Sequence, residues 1–339
     1  MKLLTPQTGW ARSGQHLYWT TDDGAHWKDI APPKSPAENI GGVFFLDESD
    51  GWVLLSYPNE KAEQQFRMAA THDSGATWST SPMKLPWKRY AEDFAGGAEV
   101  FFLDKAHGWV DLDLYSGSSS APARLLATQD GGATWEATPD DPSRAGSLCF
   151  FSEKDGVLAG GLGQGELYVT HDGSKSWQEL SLKAPPEAAP ADFPTYGEPV
   201  CGNGKDGFLA VTYTPTEYYE TFTSVLVLFA TSDGGRTWRQ DRMQSGLEER
   251  SPGEGVAVAV VGSELIIAPR ATGAKTLDLM TIPSRGRSST TAAPITGPGT
   301  VLVSQLSFVS ESIGWASTLN GLFSTTDGGI TWKNISPRH

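Results

Sequence analysis

One eight-residue motif recurs six times along this chain, and it constrains the fold more than any other feature of the sequence. The motif reads T-x-D-x-G-x-[T/S/H]-W, where x varies between copies, and the fourth copy alone departs from it, with Ser174 at the Gly position beside Gly173. Its aspartates are Asp22, Asp73, Asp130, Asp172, Asp233 and Asp327. Successive aspartates lie 51, 57, 42, 61 and 94 residues apart. Recurrence at this interval is typical of repeat architectures in which each copy is one structural unit.

A second marker precedes the first in most copies. Gly-Trp pairs open short apolar runs at 9–10, 51–52, 108–109 and 314–315, and weaker versions stand at Gly156-Val157 and Gly207-Phe208. The last interval between aspartates is nearly twice the others. The apolar segment 256–261 stands where another unit would begin, and 281–288 stands where its motif would be. Both markers therefore predict seven units, the sixth without its motif.

Each unit reads as four short strands. The second unit shows this best, with β-branched and aromatic runs at 43–46, 51–56, 66–71 and 77–80 bounded by Gly, Asp, Ser and Pro. Other runs, such as 225–230, are apolar at consecutive positions, which predicts sheets covered on both faces. Seven four-stranded units predict an all-β fold, a single seven-bladed β-propeller with antiparallel strands and the motif between the third and fourth strands. The predicted blades are approximately 1–33, 34–84, 85–141, 142–184, 185–245, 246–292 and 293–339.

The motif resembles the Asp-box (BNR) repeat of sialidases, sortilin, xyloglucan-cleaving glycoside hydrolases and photosystem II assembly-factor-like proteins. Together with the Gly-Trp strand starts, it is most similar to the assembly-factor-like and sortilin-type repeats. The resemblance covers the whole chain and implies the propeller, but it implies no single activity because this repeat occurs with unrelated functions. Proteins that carry it are mostly exported. We therefore expect an extracytoplasmic location, with any export signal or anchor upstream of these residues.

The motif aspartates are expected to be structural. Asp73 can accept backbone N–H bonds within its own turn, and Gly75 can adopt the positive φ that such a turn requires. Trp78 would then close the hairpin against its blade. A whole blade separates each aspartate from the next, so the six cannot converge on one substrate or ion. The sequence therefore predicts no metal site and no cofactor.

The long connections are the predicted recognition surface. In a four-stranded meander, the first–second and third–fourth turns share one face of the disc, and the other connections share the opposite face. The long insertions 57–65, 82–97, 115–123, 183–198 and 214–224 all fall on that opposite face. Aromatic loops on a rigid scaffold are typical of binding sites, although such loops could instead only cap the central channel. The candidate binding residues are Tyr57, Trp87, Arg89, Tyr90, Tyr115, Tyr196, Tyr218, Tyr219 and Glu220.

Composition narrows the choice of partner. With 26 Lys and Arg against 40 Asp and Glu, the formal charge is −14, which argues against nucleic acid and anionic membranes as partners. No apolar run is long enough for a transmembrane segment. A protein segment or a carbohydrate remains as the partner, and we expect a monomer.

Cys149 and Cys201 occupy similar places in adjacent blades, so they form either an inter-blade disulfide, if their Cα atoms come within about 7 Å, or two buried thiols.

The sequence favours a non-catalytic binding propeller over an enzyme. The sequence contains no common catalytic motif and no cluster of candidate catalytic residues, so no residue is assigned a catalytic role. The alternative is a glycoside hydrolase, sialidase-like or xyloglucanase-like. Arg89, Arg144 and Arg250 lie in blade-to-blade connections on the face opposite the motif turns, but the Phe-Arg-Ile-Pro segment expected of sialidases before the first motif is absent. A xyloglucanase-type site needs two carboxylates across a cleft, for which Asp93, Glu198 or Glu220 could serve, although nothing singles out a pair.

Overall fold

The computed structural model describes most of the chain as β-strands joined by turns. The described residues are 1–57, 65–84, 97–112, 124–139, 142, 146–160, 165–188, 193–202, 204–215, 222–249, 256–262, 264–268, 276–283, 288–294 and 301–337. No helix among them is long and apolar enough to span a bilayer.

The strands form seven sheets that follow one another along the chain. The first two sheets contain β1 (Lys2–Leu3), β2 (Gly9–Ser13), β3 (His16–Thr20), β4 (Lys28–Asp29), β5 (Asn39–Phe45), β6 (Gly51–Tyr57), β7 (Gln65–Thr71) and β8 (Ser79–Met83). The next two contain β9 (Ala98–Phe102), β10 (Gly108–Leu112), β11 (Arg124–Thr128), β12 (Glu136–Ala137), β13 (Gly146–Phe150), β14 (Gly156–Gly160), β15 (Glu166–Thr170) and β16 (Gln178–Glu179). The fifth contains β17 (Phe193–Tyr196), β18 (Val200–Cys201), β19 (Gly207–Thr214), β20 (Phe222–Thr231) and β21 (Arg239–Glu249). The last two contain β22 (Ala257–Val261), β23 (Glu264–Ala268), β24 (Thr276–Pro283), β25 (Ser289–Pro294), β26 (Val303–Phe308), β27 (Gly314–Thr318), β28 (Gly321–Thr325) and β29 (Lys333–Asn334).

Every sheet is antiparallel, and in all of them except the fifth the strands pair strictly in chain order. The first strands of neighbouring sheets contact one another, as β5 does β9 and β22 does β26, so these strands surround a central axis. The protein is therefore a seven-bladed β-propeller, as predicted. Blade five departs from four strands because β17 and β18 share its innermost position and both pair with β19. The turn between β24 and β25, where blade six is predicted to lack the motif, lies outside the described residues.

The hydrophobic core lies between blades rather than inside them. In β20, Val225, Val227 and Phe229 pack towards blade four, in a cluster with Val157 and Val169. The alternate residues of the same strand, Leu226 and Leu228, pack towards blade six with Leu265 and Ile267. Because both faces of each blade are covered, its strands can be apolar at consecutive positions.

The Gly-Trp marker lies at the interfaces between neighbouring blades, which we call seams. A Cβ atom on Gly51 would lie 2.4 Å from the ring of Phe45 in the paired strand, so only glycine fits there. The indole of Trp52 stacks on Phe102 of blade three with centroids 3.8 Å apart, and its Nε1 donates to the Gly131 carbonyl at 2.9 Å. Each such tryptophan therefore contacts the blade that follows its own in the ring.

Blade seven closes the ring by packing against blade one. Both sheets are built from contiguous chain, so no strand is exchanged between them. Trp315 Nε1 donates to Asp23 Oδ1 at 2.8 Å, and Trp27 Nε1 donates to the Ile335 carbonyl at 2.6 Å. The backbone N–H of Leu3 donates to Ser307 Oγ at 2.9 Å. Closure therefore uses the same type of tryptophan contact as the other seams.

Candidate functional site

The six motif aspartates have nearly the same hydrogen bonds, all within their own turns. In the second copy, Asp73 Oδ1 accepts from the Thr77 backbone at 2.8 Å and Oδ2 accepts from the Thr77 hydroxyl at 2.6 Å. The Thr71 hydroxyl donates to Asp73 Oδ1 at 2.9 Å and accepts from the Gly75 N–H at 2.9 Å. The other five copies repeat this arrangement, with His26 replacing the second hydroxyl in the first copy.

These hydrogen bonds keep the motif carboxylates ionised. The ring and backbone of His26 donate to Asp22 and lower its pKa to about 2. At Asp233, burial opposes ionisation, but hydrogen bonds from Thr237 outweigh it and lower the pKa to about 2. The pKa values of the other four aspartates are shifted in the same direction. Such groups cannot serve as proton donors at neutral pH.

The strand ends that border the long connections lie at the end of the blade opposite the motif turns. In blade two, Gly51 pairs with Thr71 at the motif end, whereas Tyr57 pairs with Gln65 at the other end, where residues 58–64 connect the strands. We call this end the loop-bearing face. The register of β19 with β20 places Thr214 at the end of β19 and Phe222 at the start of β20 towards the same face, because Gly207 pairs with Thr231 of the motif at the other end.

Most of the predicted binding residues fall outside the described parts of the chain. These are Trp87, Arg89, Tyr90, Tyr115, Tyr218, Tyr219 and Glu220, together with the side chain of Tyr57, whose backbone ends β6. Tyr196 is described, and it lies in β17 rather than in a connecting loop. Its side chain is 7% exposed and packs in the core between blades four and five. That these residues form a binding surface stays a prediction.

The described residues enclose a cavity of about 550 Å³ along the propeller axis. Its walls come from the innermost strands of blades three to seven, namely β9, β13, β17, β18, β22 and β26, and from parts of the second strands. Three acidic residues line it, Glu99, Asp111 and Glu198. Lys and Arg are absent from the described lining. The axial cavity is therefore lined mostly by small and apolar residues, and its charged side chains among the described residues are all acidic.

Two of these acids are direct cross-strand partners. Glu99 in β9 pairs with Asp111 in β10, which places both side chains on the same face of blade three. Asp111 is buried, and its Oδ2 accepts from the Gly146 backbone of blade four at 3.2 Å. Ala98 and Leu112, which pair next to them, end their strands towards the loop-bearing face. The acidic pair therefore lies near the loop-bearing end of the axis.

Glu99 is held in its protonated form. Burial, followed by the negative charges of Glu198 and Asp111, raises its pKa to about 8, against the smaller opposing effect of Lys2. Its side chain is partly accessible by surface area, but it faces the axial cavity rather than the outer surface. The cavity therefore contains a carboxyl group that keeps its proton to a higher pH than an ordinary glutamate does.

A polar group without a partner lies in the same wall. Thr195 in β17 lines the axial cavity and is 2% exposed. Its hydroxyl has no hydrogen-bond partner among the described residues. An unsatisfied buried hydroxyl is energetically costly, and this one has almost no surface that a solvent molecule can reach.

Sequence analysis did not identify Glu99, Asp111 or Thr195. A signal was present, because Asp111 interrupts the otherwise apolar strand Gly-Trp-Val-Asp-Leu and Glu99 does the same in Ala-Glu-Val-Phe-Phe. Charged residues in buried strands are rare unless they have a specific role. Of the three acids that were considered for a glycosidase, Glu198 lines the cavity, whereas Asp93 and Glu220 lie outside the described residues.

A disulfide stands beside the cavity. Cys149 in β13 and Cys201 in β18 are bonded, with Cα atoms 5.9 Å apart. The bond joins the inner strands of blades four and five. It therefore ties down the second part of the divided inner strand of blade five, directly after the segment that carries Glu198.

Comparisons with known proteins agree with this architecture. No protein-family profile matches the chain. The chain is 24% identical over 259 residues to a Paenibacillus protein named "Xyloglucanase", an alignment that covers 69% of this chain but 24% of that protein's length. The GH74 xyloglucanase of Xanthomonas campestris superposes with a TM-score of 0.61 at 12% identity, over 97% of this chain and 52% of that one. YCF48 from Cyanidioschyzon merolae superposes with a TM-score of 0.52 at 16% identity, over 91% of this chain and 88% of that one. At these identities the structural likenesses show the propeller fold.

Proposed function

We propose that this protein is a non-catalytic binding propeller that recognises a protein segment or a glycan through its loop-bearing face. One observation carries the proposal: the axial cavity has its acidic pair near the strand ends from which the long connections depart. A ligand held by those connections would therefore also meet the mouth of the cavity. We further propose that the repeated motif is an Asp-box, most like those of photosystem II assembly-factor-like proteins.

The chemistry of the motif turns supports binding over catalysis. Their carboxylates are ionised and hydrogen-bonded within their own turns, so the most regular feature of the chain holds the scaffold together. A rigid scaffold with variable connections on one face suits recognition, because the scaffold keeps the binding groups in place before the ligand arrives. The Cys149–Cys201 disulfide supports an oxidising location outside the cytosol.

The test is a selection for ligands followed by mutation of the proposed surface. Purified protein would be screened against a glycan array and a displayed peptide library, and the best ligand would be titrated. Replacing Trp87, Tyr90, Tyr218 and Tyr219 together by alanine should lower affinity by about 100-fold or more, since aromatic anchors dominate such surfaces. The exposed Ile330, in a motif turn on the opposite face, provides the matched control Ile330→Ala. Unchanged affinity in the quadruple variant, with Ile330→Ala also silent, would place the binding surface elsewhere.

Glycoside hydrolysis is the second candidate. The pKa of Glu99 is raised to about 8, and two further acids, Asp111 and Glu198, line the same cavity; cleavage of a glycosidic bond requires one carboxyl group with a raised pKa as the general acid and a second carboxyl group across the cleft. Xyloglucan and chromogenic β-glucosides are the substrates to assay. An enzyme would lose about 10²–10⁴-fold in kcat in the Glu99→Gln variant, whereas the binding proposal expects no turnover in either protein.

A further inference from the structure

A groove of about 490 Å³ opens between the outer parts of blades four and five. One wall is the segment 180–186, which follows the outermost strand of blade four, and the other comes from β20, β21 and the motif of blade five. We call it the rim groove. We propose that it binds a protein segment that inserts one large aliphatic side chain and carries an aspartate or glutamate next to it. None of the candidate residues of the loop-bearing face lines this groove, so the inference goes beyond the binding function proposed above.

Two other seams show how the outer part of a seam is normally closed. Between blades one and two, Trp78 Nε1 donates to the Ile30 carbonyl at 2.9 Å, and between blades seven and one, Trp27 Nε1 donates to the Ile335 carbonyl at 2.6 Å. Each isoleucine directly follows the outermost strand of its blade, and its side chain is 3% exposed. A motif indole and an aliphatic side chain therefore fill the outer end of both seams.

The seam between blades four and five lacks this contact. Leu180 is the counterpart of Ile30, because it directly follows β16 and its N–H donates to the Leu167 carbonyl of the third strand at 2.8 Å, as that of Ile30 does to its own third strand. Trp238, however, donates to the Gly235 carbonyl of its own turn at 3.0 Å. The indole does not bridge to Leu180, and both residues line the rim groove instead.

The walls of the rim groove suit an aliphatic side chain better than a sugar. Most of the surface belongs to apolar residues, namely Leu180, Leu182, Pro185, Pro186, Phe229 and Trp238. Two of the polar lining residues are already engaged, because the Thr237 hydroxyl donates to Asp233 and Arg236 pairs with Asp155. A sugar ring would lose hydrogen bonds to water here without regaining them, whereas an aliphatic side chain gains from burial.

A lysine supplies the preference for a neighbouring carboxylate. Lys183 lines the rim groove, is exposed, and forms no ion pair within the described ranges of the chain. The other cation of the lining, Arg236, is neutralised by Asp155. One positive charge therefore remains beside an apolar groove, and its flexible stem lets the ammonium group reach a carboxylate next to the inserted side chain.

The strand that borders the rim groove favours a polypeptide as the ligand. β21 has eleven residues, whereas the outermost strands of blades one, three, four and seven have two each. On its outer side β21 pairs with no other strand of the described chain. Such an edge presents N–H and C=O groups to an extended segment, and Gln240 of β21 lines the groove itself.

The first test compares acetyl-Gly-Leu-Asp-Gly-amide with acetyl-Gly-Ser-Asp-Gly-amide. The indole N–H signal of Trp238 in an NMR titration reports on the groove, and its loss in Trp238→Phe assigns it. The leucine peptide should bind with a Kd of about 1 mM, and the serine peptide at least about tenfold more weakly, because burial of the leucine side chain is the main gain.

A variant that fills the rim groove provides the matched control for this titration. Ala184 is exposed and lines the groove, so Ala184→Trp should weaken binding of the leucine peptide by about tenfold through steric exclusion. Ala133 is exposed in the motif turn of blade three, outside the groove. Ala133→Trp should therefore change affinity by less than about twofold.

The second test isolates the charge. At low ionic strength, acetyl-Gly-Leu-Asn-Gly-amide should bind about twofold to fivefold more weakly than the aspartate peptide, as expected for an exposed ion pair. This difference should disappear in Lys183→Gln. It should persist in Lys175→Gln, which removes an exposed lysine from the motif turn of blade four, outside the groove.

The inference is wrong if the leucine and serine peptides bind equally, including no binding of either, or if Ala184→Trp and Ala133→Trp have equal effects. It is also wrong if the aspartate preference survives in Lys183→Gln. A response of the Trp238 signal to cellotetraose but not to the leucine peptide would identify a glycan site instead. All of these outcomes are independent of the quadruple loop variant, which tests the loop-bearing face with a separately selected ligand.

Discussion

At the scale of single residues, the motif works because each position meets a backbone requirement of the turn. The two residues after each motif aspartate both have positive φ, as at Ser74 and Gly75, and the second of them is glycine in every copy except the fourth, where it is Ser174. Glycine adopts this conformation without a steric penalty, whereas other residues incur one. The glycine also meets the neighbouring blade, because a Cβ on Gly75 would lie 2.6 Å from Ile30 Cδ1. The motif residue therefore serves the turn and the seam together.

Replacing Gly75 by alanine should destabilise the protein by about 2–4 kcal/mol, from the left-handed backbone and the clash with Ile30 combined. Gly14 offers a matched control, since its φ is +57° but no atom lies within 4 Å of the Cβ position. Gly14→Ala should cost about 1 kcal/mol. Urea unfolding monitored by tryptophan fluorescence measures both. Equal losses would mean that contact with Ile30 contributes nothing.

At the scale of elements, the unit of stability is the seam between two blades rather than the blade. Strand-start tryptophans stack on the inner strand of the following blade, as Trp109 does on Phe150 with centroids 3.5 Å apart. Several also donate an indole hydrogen bond across the seam, Trp52 to the Gly131 carbonyl among them. Trp10 differs, because its Nε1 has no partner within the described part of the chain. A comparison of Trp52 with Trp10 therefore separates the contribution of the indole hydrogen bond to stability from the contribution of ring packing.

The variants Trp52→Phe and Trp10→Phe both keep an aromatic ring and lose similar volume. Trp52→Phe also leaves the Gly131 carbonyl without its donor, so it should cost about 1–2 kcal/mol more than Trp10→Phe. Chemical denaturation gives the free energy of unfolding of each variant, and thermal unfolding gives an independent ranking of the two. If Trp10→Phe proved the more damaging, packing volume and not the hydrogen bond would govern the seams.

At the scale of the whole molecule, repeated carboxyl groups make stability depend on pH in two opposite ways. The motif aspartates have lowered pKa values, to about 2 at Asp22 and Asp233, against about 3.9 in an unfolded chain. Their contribution is present above the unfolded pKa and is lost as pH falls through the folded value. Glu99 has the opposite effect on stability. Its pKa is about 8 in the folded state, so between the unfolded pKa and this value the folded state binds a proton that the unfolded state has lost, and stability falls as the pH rises.

We therefore expect the urea midpoint to fall steeply below pH 4 in the wild type and in Glu99→Gln alike. Between about pH 4.5 and 8, Glu99→Gln should gain stability relative to the wild type, on the order of 1 kcal/mol for each pH unit. Unfolding curves at pH 3, 5, 7 and 9 measure both limbs. A constant difference between the two proteins from pH 5 to pH 9 would show that Glu99 titrates normally.

Much of the fold could be predicted because the repeated motif is stabilised by interactions between residues that are close together in the sequence. Thr71, Asp73 and Gly75 lie within five residues of one another, so their turn can be read without knowing what surrounds it. Tyr196 shows the limit of this approach. Its position between two blades resembled a connecting loop, but it pairs with Val211 in a strand and is buried. Its burial depends on blade four, which short-range pattern does not reveal.

The number of blades, the order of their strands and the hydrogen-bonded turn formed by the motif could all be predicted from the sequence, because turn hydrogen bonds and strand alternation act between near neighbours. That Glu99, Asp111, Glu198 and Thr195 line one chamber is visible only in the folded ring. These residues come from blades three and five, and they meet because closing seven seams brings the innermost strands around one axis. Ring closure is a property of all the blades together, so no single stretch of sequence encodes that chamber.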